Sequence, residues 1–299
     1  AAGPLWSMLG EEHTDGLCNL QRMGDTDIAS LSAEHLMLKT VWMSDPHFSA
    51  SGKVLGHDPG VRLAAAVDHV NSHYADCELC ILSGDLVNRG NRRDYQALKQ
   101  HLDRLTVPYF PMAGNHDDRA LLRAVLPLPE GCMAEFVQYT IPTAEGLLIC
   151  LDTQKTGADG GEFCADRMRW LARELDRAGD TPVFLFMHHP PMRLGLPMQD
   201  SANMENGAAF LDLLQGYPNI RHLFIGHVHR PVSGSVRGIA FATMRSVLYQ
   251  APPPRPAWDW DSFHPAQEAP EFGVLCVENA DVTLQYVQFC PFETGGPVG

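Results

Sequence analysis

The sequence predicts an α/β sandwich of mixed sheets, and three observations carry that reading. Short apolar runs alternate with apolar stripes at helical spacing through most of the chain. Its last part turns strand-rich around Ile239–Thr243, Gly273–Glu278 and Val282–Phe289. Five short polar clusters each follow directly on an apolar run, the arrangement expected where strand ends line a crevice.

Taken in order, Leu38–Met43, Leu79–Ser83, Tyr109–Ala113, Leu147–Leu151, Val183–Met187 and Leu223–Ile225 read as strands, several continuous enough to be covered on both faces. Four stripes between them predict amphipathic helices with core-facing residues. They are Leu63, Val67, Val70 and Tyr74; Tyr95, Leu98, Leu102 and Leu105; Met168, Leu171, Leu175 and Ala178; and Phe210, Leu213, Leu214 and Tyr217. No repeat recurs. Residues 1–36 precede the first strand without clear patterning and read as an N-terminal arm or a non-native extension, with the folded domain at 37–299. Within that domain, residues 251–270 carry six prolines with Trp258, Trp260 and Phe263, too many prolines for a central helix or strand. This segment reads as a flap, cap or oligomer contact, with a rigid loop as the plain alternative.

Composition narrows the function. The 299 residues hold 36 acidic and 22 basic side chains, a net charge of −14, with 45% hydrophobic and 19% charged residues. That balance excludes wholesale disorder and argues against a nucleic-acid polymer as partner, which would call for a basic footprint. A small phosphorylated substrate stays open, because a cation in a cleft can outweigh the global sum. No apolar run approaches the roughly 18 residues that span a bilayer, so no membrane partner is expected. Acidic residues from Glu11 to Asp27 break up every candidate export signal. The eight cysteines are scattered, and Cys77-x-x-Cys80 has no companion pair. Reduced structural thiols in the cytoplasm are the expectation, with half a zinc site or a redox pair as alternatives.

The chemistry lies in the five clusters: Asp45-Pro-His47, Gly84-Asp85, Gly114-Asn115-His116-Asp117, His188-His189, and Gly226-His227-Val-His229. Among them Asp45, His47, Asp85, Asn115, His188, His227 and His229 are candidate metal ligands. This N/O donor set without cysteine suits Fe, Mn or Zn. Seven donors exceed one tetrahedral zinc with an open position; they suit two divalent or trivalent ions sharing a bridging carboxylate, about 3.5–4 Å apart. In an extended chain, residues i and i+2 share a face, so Asp45/His47 and His227/His229 would each present two ligands together. The glycines before Asp85, Asn115 and His227 would permit tight turns and close approach.

These motifs resemble the calcineurin-like metallophosphoesterase superfamily, from about Leu38 to Gln250 and in all five blocks. Gly226-His227-Val-His229-Arg230-Pro231 with Arg237-Gly238-Ile239, and Gly84-Asp85-Leu86-Val87 with Asp94-Tyr95, look most like bacterial class III cyclic-nucleotide phosphodiesterases and the related glycerophosphodiesterases. The resemblance implies a four-layer αββα sandwich. It also implies one metal on Asp45, His47, Asp85 and His229 and another on Asp85, Asn115, His188 and His227, with Asp85 bridging. The activity implied is hydrolysis of small phosphodiesters, cyclic nucleotides first, by a metal-bound hydroxide. Glycerophosphodiesters, phosphomonoesters and a non-catalytic scaffold are the alternatives. His116 is the expected group for transition-state charge or the leaving alkoxide. Asp117 would orient the His116 ring or cap a helix through Leu121–Val125. Asn88, His189 and Asn206 are candidate substrate contacts. Asn88 replaces a more usual acidic residue, leaving the substrate open; a homo-oligomer is also left open.

Overall fold

A computed structural model describes residues 37–254, 259 and 262–291. The expected N-terminal arm and both Trp258 and Trp260 lie outside the described residues. The strands are β1 (Leu38–Met43), β2 (Leu79–Leu82), β3 (Tyr109–Pro111), β4 (Tyr139–Thr143), β5 (Gly146–Leu151), β6 (Val183–Met187), β7 (Ile220–Ile225), β8 (Ser233–Val236), β9 (Ile239–Thr243), β10 (Glu271–Glu278) and β11 (Asp281–Gln288). The helices are α1 (Pro59–His73), α2 (Arg92–Leu102), α3 (Arg119–Val125), α4 (Ala165–Ala178) and α5 (Gly207–Leu214).

The strands form two mixed sheets, ordered β11-β10-β1-β2-β3 and β4-β5-β6-β7-β9-β8. Each has a parallel centre, β1–β2–β3 and β5–β6–β7–β9, bordered by antiparallel pairs. Side-chain alternation along β6 shows how the layers meet. Phe184 and Phe186 enter the cluster shared with the first sheet, α1 and α2, whereas Val183, Leu185 and Met187 join that of α4 and α5. Trp42 of β1 packs edge-on to Phe224 of β7 at 5.3 Å, and Phe224 stacks on Phe186 at 4.6 Å, closing the seam between sheets. The layers therefore run αββα.

Helix starts follow their side chains. Asp58, Asn91 and Asp118 cap α1, α2 and α3 by accepting from Val61, Asp94 and Leu121 N–H groups at 3.1, 3.0 and 2.8 Å. The cap of α3 is thus Asp118, not Asp117. Tyr74, Leu105 and Tyr217 fall just beyond the helices whose stripes they extended. Cys77 and Cys80 are buried free thiols; burial pushes Cys77 up to about 12 and Cys80 higher, which suits structural thiols.

All five polar clusters leave the C-terminal ends of parallel strands: β1, β2 and β3 from one sheet, β6 and β7 from the other. The two sheets thus deliver their polar ends to one edge of the sandwich.

Candidate metal centre

Three loops from the first sheet and two from the second converge there. His229 Nε2 lies 3.1 Å from His47 Nε2 and 3.3 Å from Asp45 Oδ1. Alongside, Asn115 Oδ1 lies 3.2 Å from His188 Nε2 and 3.1 Å from His227 Nδ1. Asp85 stands between the two groups. Its Oδ2 is 3.5 Å from His47 Nε2 and its Oδ1 is 3.4 Å from His188 Nε2. The seven sequence-selected donors are thus brought together, although Asp45 and His227 are 182 positions apart.

The backbone reaches this geometry by a route the sequence reading did not foresee. Asp45, His47, Asp85, His227 and His229 all have positive φ, between 39° and 69°. The paired ligands therefore sit on left-handed turns, not on an extended chain with i and i+2 on one face. The loops lace together: Asp45 and His47 N–H groups donate to Gly84 and Asp85 carbonyls at 3.2 and 2.9 Å, and Ser246 Oγ donates to the Asp45 carbonyl at 2.7 Å. Gly84 takes φ 97°, and a Cβ there would meet His188 Nδ1 at 2.5 Å; one at Gly114 would meet Asp85 Oδ1 at 2.2 Å. These glycines let donor side chains close over bare backbone.

The donors fit a transition-metal ion. His188 Nδ1–H donates to the Ser83 carbonyl at 2.8 Å and His229 Nδ1–H to the Tyr249 carbonyl at 2.9 Å. With Nδ1 committed as a donor, Nε2 of each ring in its neutral form is a lone pair facing carboxylate or amide oxygen. Acceptors facing acceptors call for a positive charge between them, a proton or a metal cation, and the backbone anchors fix the ring orientations as second-layer partners of metal-bound histidines do. Burial drives His47 and His227 down to about 3, hence neutral. The buried Nε2 of His227 has no hydrogen-bond partner. Burial opposes charging of His188, yet Asp85 and then Asp45 hold it up to about 9, a measure of the negative field that a cation would meet.

His116 stands at the rim, its side chain 37% exposed. Its backbone N–H donates to Asp85 Oδ1 and its Nδ1–H to the Asn88 carbonyl, both at 2.9 Å. Nε2 is thereby presented to the cleft, 4.0 Å from Asp85 Oδ2. Against burial, Asp85 and the Asn88 carbonyl raise the His116 pKa.

Four of the expected residues are held by contacts that the sequence did not suggest. The buried Asp117 carboxylate accepts from Tyr95 Oη at 2.7 Å and from Gly114, Leu86 and Val87 N–H groups at 2.9, 3.1 and 3.4 Å, while the His116 ring N–H goes to the Asn88 carbonyl. It binds the β2 and β3 loops together, and burial, then Asp85, raises it to about 6. The Asn88 carbonyl holds the His116 ring. His189 is fully buried beneath the donors, its Nδ1 2.8 Å from Thr153 Oγ1 and its Nε2–H donating to the Asp159 carbonyl at 3.2 Å. Asn206 clips the Phe163 backbone, accepting from its N–H at 2.9 Å and donating to its carbonyl at 2.7 Å. Tyr249 and Ser246 escaped sequence reading because no motif surrounds them, and Tyr95 was read for its place in a stripe and a motif but not for its hydroxyl.

The donors open into a cleft of about 380 Å³ lined by His47, Asp85, Asn115, His116, His227 and His229, with Leu55, Asp159, Ala202, Tyr249 and Phe263 around them.

The chain matches the calcineurin-like phosphoesterase family over residues 38–231, and it belongs to that family. Family and site together define a metal-dependent phosphoesterase. Among curated proteins, a probable cyclic nucleotide phosphodiesterase of Rhodopseudomonas palustris is 32% identical over 87% of this chain and 95% of its own. A glycerophosphodiester phosphodiesterase of Enterobacter lignolyticus is 33% identical over 70% of this chain and 77% of its own. A dimetal phosphatase from Danio rerio shares the fold at TM-score 0.62 and 14% identity, over 85% of this chain and 97% of its own.

Proposed function

We propose that this chain hydrolyses small phosphodiesters, cyclic nucleotides foremost, at a centre for two cations bridged by Asp85. The observation that carries the reading is the division of the Asp85 carboxylate, one oxygen toward each donor group. Asp45, His47, Asp85 and His229 would hold one Fe, Mn or Zn ion, and Asp85, Asn115, His188 and His227 the other. Two such ions lower the pKa of water to near neutrality and neutralise charge on phosphoryl oxygens. His116, fixed through Nδ1 on the Asn88 carbonyl, offers Nε2 to a phosphoryl oxygen or to the leaving alkoxide. Asp117 positions the loops of Asp85 and Asn115 and does no proton transfer.

Charge favours a diester over a monoester. Among the described residues lining the cleft no lysine or arginine appears, and Asp159 adds a carboxylate. A diester presents one negative charge near neutral pH, whereas a monoester presents close to two. The relative matched over 87% of this chain is named for cyclic nucleotides, and glycerophosphodiesters form the second reading on the strength of the name of the relative matched over 70%. A degenerate scaffold would be expected to have lost donors, and here all seven and His116 stand. No described helix is long and apolar enough to cross a membrane. The buried, unpaired Cys77, Cys80 and Cys150 suit a reducing compartment, the cytoplasm. The Mn- or Fe-loaded protein should cleave bis(p-nitrophenyl) phosphate with a higher kcat/KM than p-nitrophenyl phosphate. The reverse order would contradict the diester assignment.

A further inference from the structure

Two apolar residues at the cleft mouth are poorly explained by folding alone. The first is Leu55. Val54 and His57 exchange backbone hydrogen bonds of 2.9 Å each, closing a two-residue turn in which Leu55 and Gly56 take φ 48° and 86°. Positive φ at both central positions is the type I′ signature, which favours Asn or Asp followed by Gly. A leucine there is disfavoured by its backbone, and at 50% exposure it also gains little from burial. The neighbouring glycine is the expected residue; the leucine is not.

The second is Phe263, from the Pro-rich segment. Ala266 N–H donates to the Gln250 carbonyl at 2.9 Å, and Glu268 accepts from Arg245 at 2.7 Å, drawing this part of the segment beside Tyr249. Phe263 meets Tyr249 edge-on at 6.2 Å, and Tyr249 in turn lies 4.5 Å from the His229 ring and 5.2 Å from the His47 ring. An aromatic series thus runs outward from the donors. Leu55, Tyr249 and Phe263 border the same cleft, whose size falls in the range of about 300–1,000 Å³ usual for small-molecule sites.

We propose that Leu55 and Phe263 form an apolar clamp that selects diesters bearing a planar ring, such as a nucleobase, over small aliphatic diesters. The clamp rests on the reading of this centre as a phosphodiesterase. Tyr249 bridges it to the reacting group, so a ring held between apolar walls sits a short way from the donors. Binding gains come from ring contact and from water excluded at the mouth. Neither residue touches the reacting phosphorus, so each acts on specificity.

The test uses the Mn-loaded full chain with Leu55→Asn and Phe263→Ala. Asn suits the turn better than Leu, so Leu55→Asn should match or exceed the wild-type Tm, separating lost recognition from lost folding. The ratio of kcat/KM for adenosine 3′,5′-cyclic monophosphate to that for glycerophosphoethanolamine should fall about tenfold in each variant, chiefly through KM of the cyclic nucleotide. Calorimetric binding of a phosphorothioate analogue of the cyclic nucleotide should weaken in parallel. A wild-type ratio and wild-type binding in both variants would overturn the clamp alone. A wild-type protein that cleaves no diester would overturn the underlying functional reading and the clamp with it.

Discussion

At the scale of residues, the site combines donors that sequence reveals with a backbone that it conceals. Asp-x-His and His-x-His announce ligand chemistry by residue type, and all seven donors were legible as such. The left-handed φ values of five of them were not, because Asp and His are ordinary residues elsewhere and nothing in the spacing demands αL. Non-glycine residues held there cost of order 1–3 kcal/mol each and persist where surrounding bonds over-determine them, a pattern concentrated at functional sites. Here the Gly84, Asp85 and Ser246 bonds to the Asp45–His47 turn do the holding. Partners supplied by backbone carbonyls, such as Asn88 for His116, are likewise invisible to a side-chain motif. His116 touches the centre only through its backbone N–H and its rim-facing ring. His116→Ala should therefore lose about 10²–10⁴-fold in kcat while keeping its full metal content, as measured by elemental analysis. Loss of metal instead would move His116 into the ligand set.

At the scale of elements, strand runs and helical stripes were legible because burial on a fixed period writes itself into sequence. The edge strands of the second sheet were not, although β3 and β11 at the edges of the first were. β4 carries Pro142 and β8 is the short run Ser233–Val236, largely exposed, so neither shows an apolar run. The stripes also ran past the helices, because Leu105 and Tyr217 are half-buried just after the chain has turned. Helix α2 has a second task that its stripe did not disclose. Tyr95 counts as a core residue by spacing, yet its hydroxyl donates to Asp117 at 2.7 Å and accepts from Asp118 N–H at 2.9 Å. It ties α2 to the loop that carries Asn115 and His116. Tyr95→Phe leaves a buried carboxylate short of a donor and an N–H without its acceptor. The expected cost is about 1.5–3 kcal/mol, read as a lower urea midpoint at unchanged m. An unchanged midpoint would show that Asp117 finds its support elsewhere.

At the scale of the whole molecule, the centre exists only because two sheets are closed against each other. Asp45, His47, Asp85 and Asn115 come from the β1–β3 sheet and His188, His227 and His229 from the β6–β7 side. The Trp42–Phe224–Phe186 seam sets how those strand ends face one another. Direct cross-sheet bonds then finish the alignment, including His227 N–H to both Asp45 oxygens at 3.2 Å. The net charge of −14 acquires a local meaning in this frame: buried Asp45 and Asp85 concentrate negative potential among the donors, and bound cations would reverse it for an anionic substrate. Asp85 is the residue on which both donor groups depend. The most direct measurement is the metal content and bis(p-nitrophenyl) phosphate turnover of purified Asp85→Ala, compared with the wild type after identical loading. Joint loss of bound metal and turnover, in a variant that still melts cooperatively, is the predicted result; undiminished turnover with a full metal complement would contradict the bridging centre.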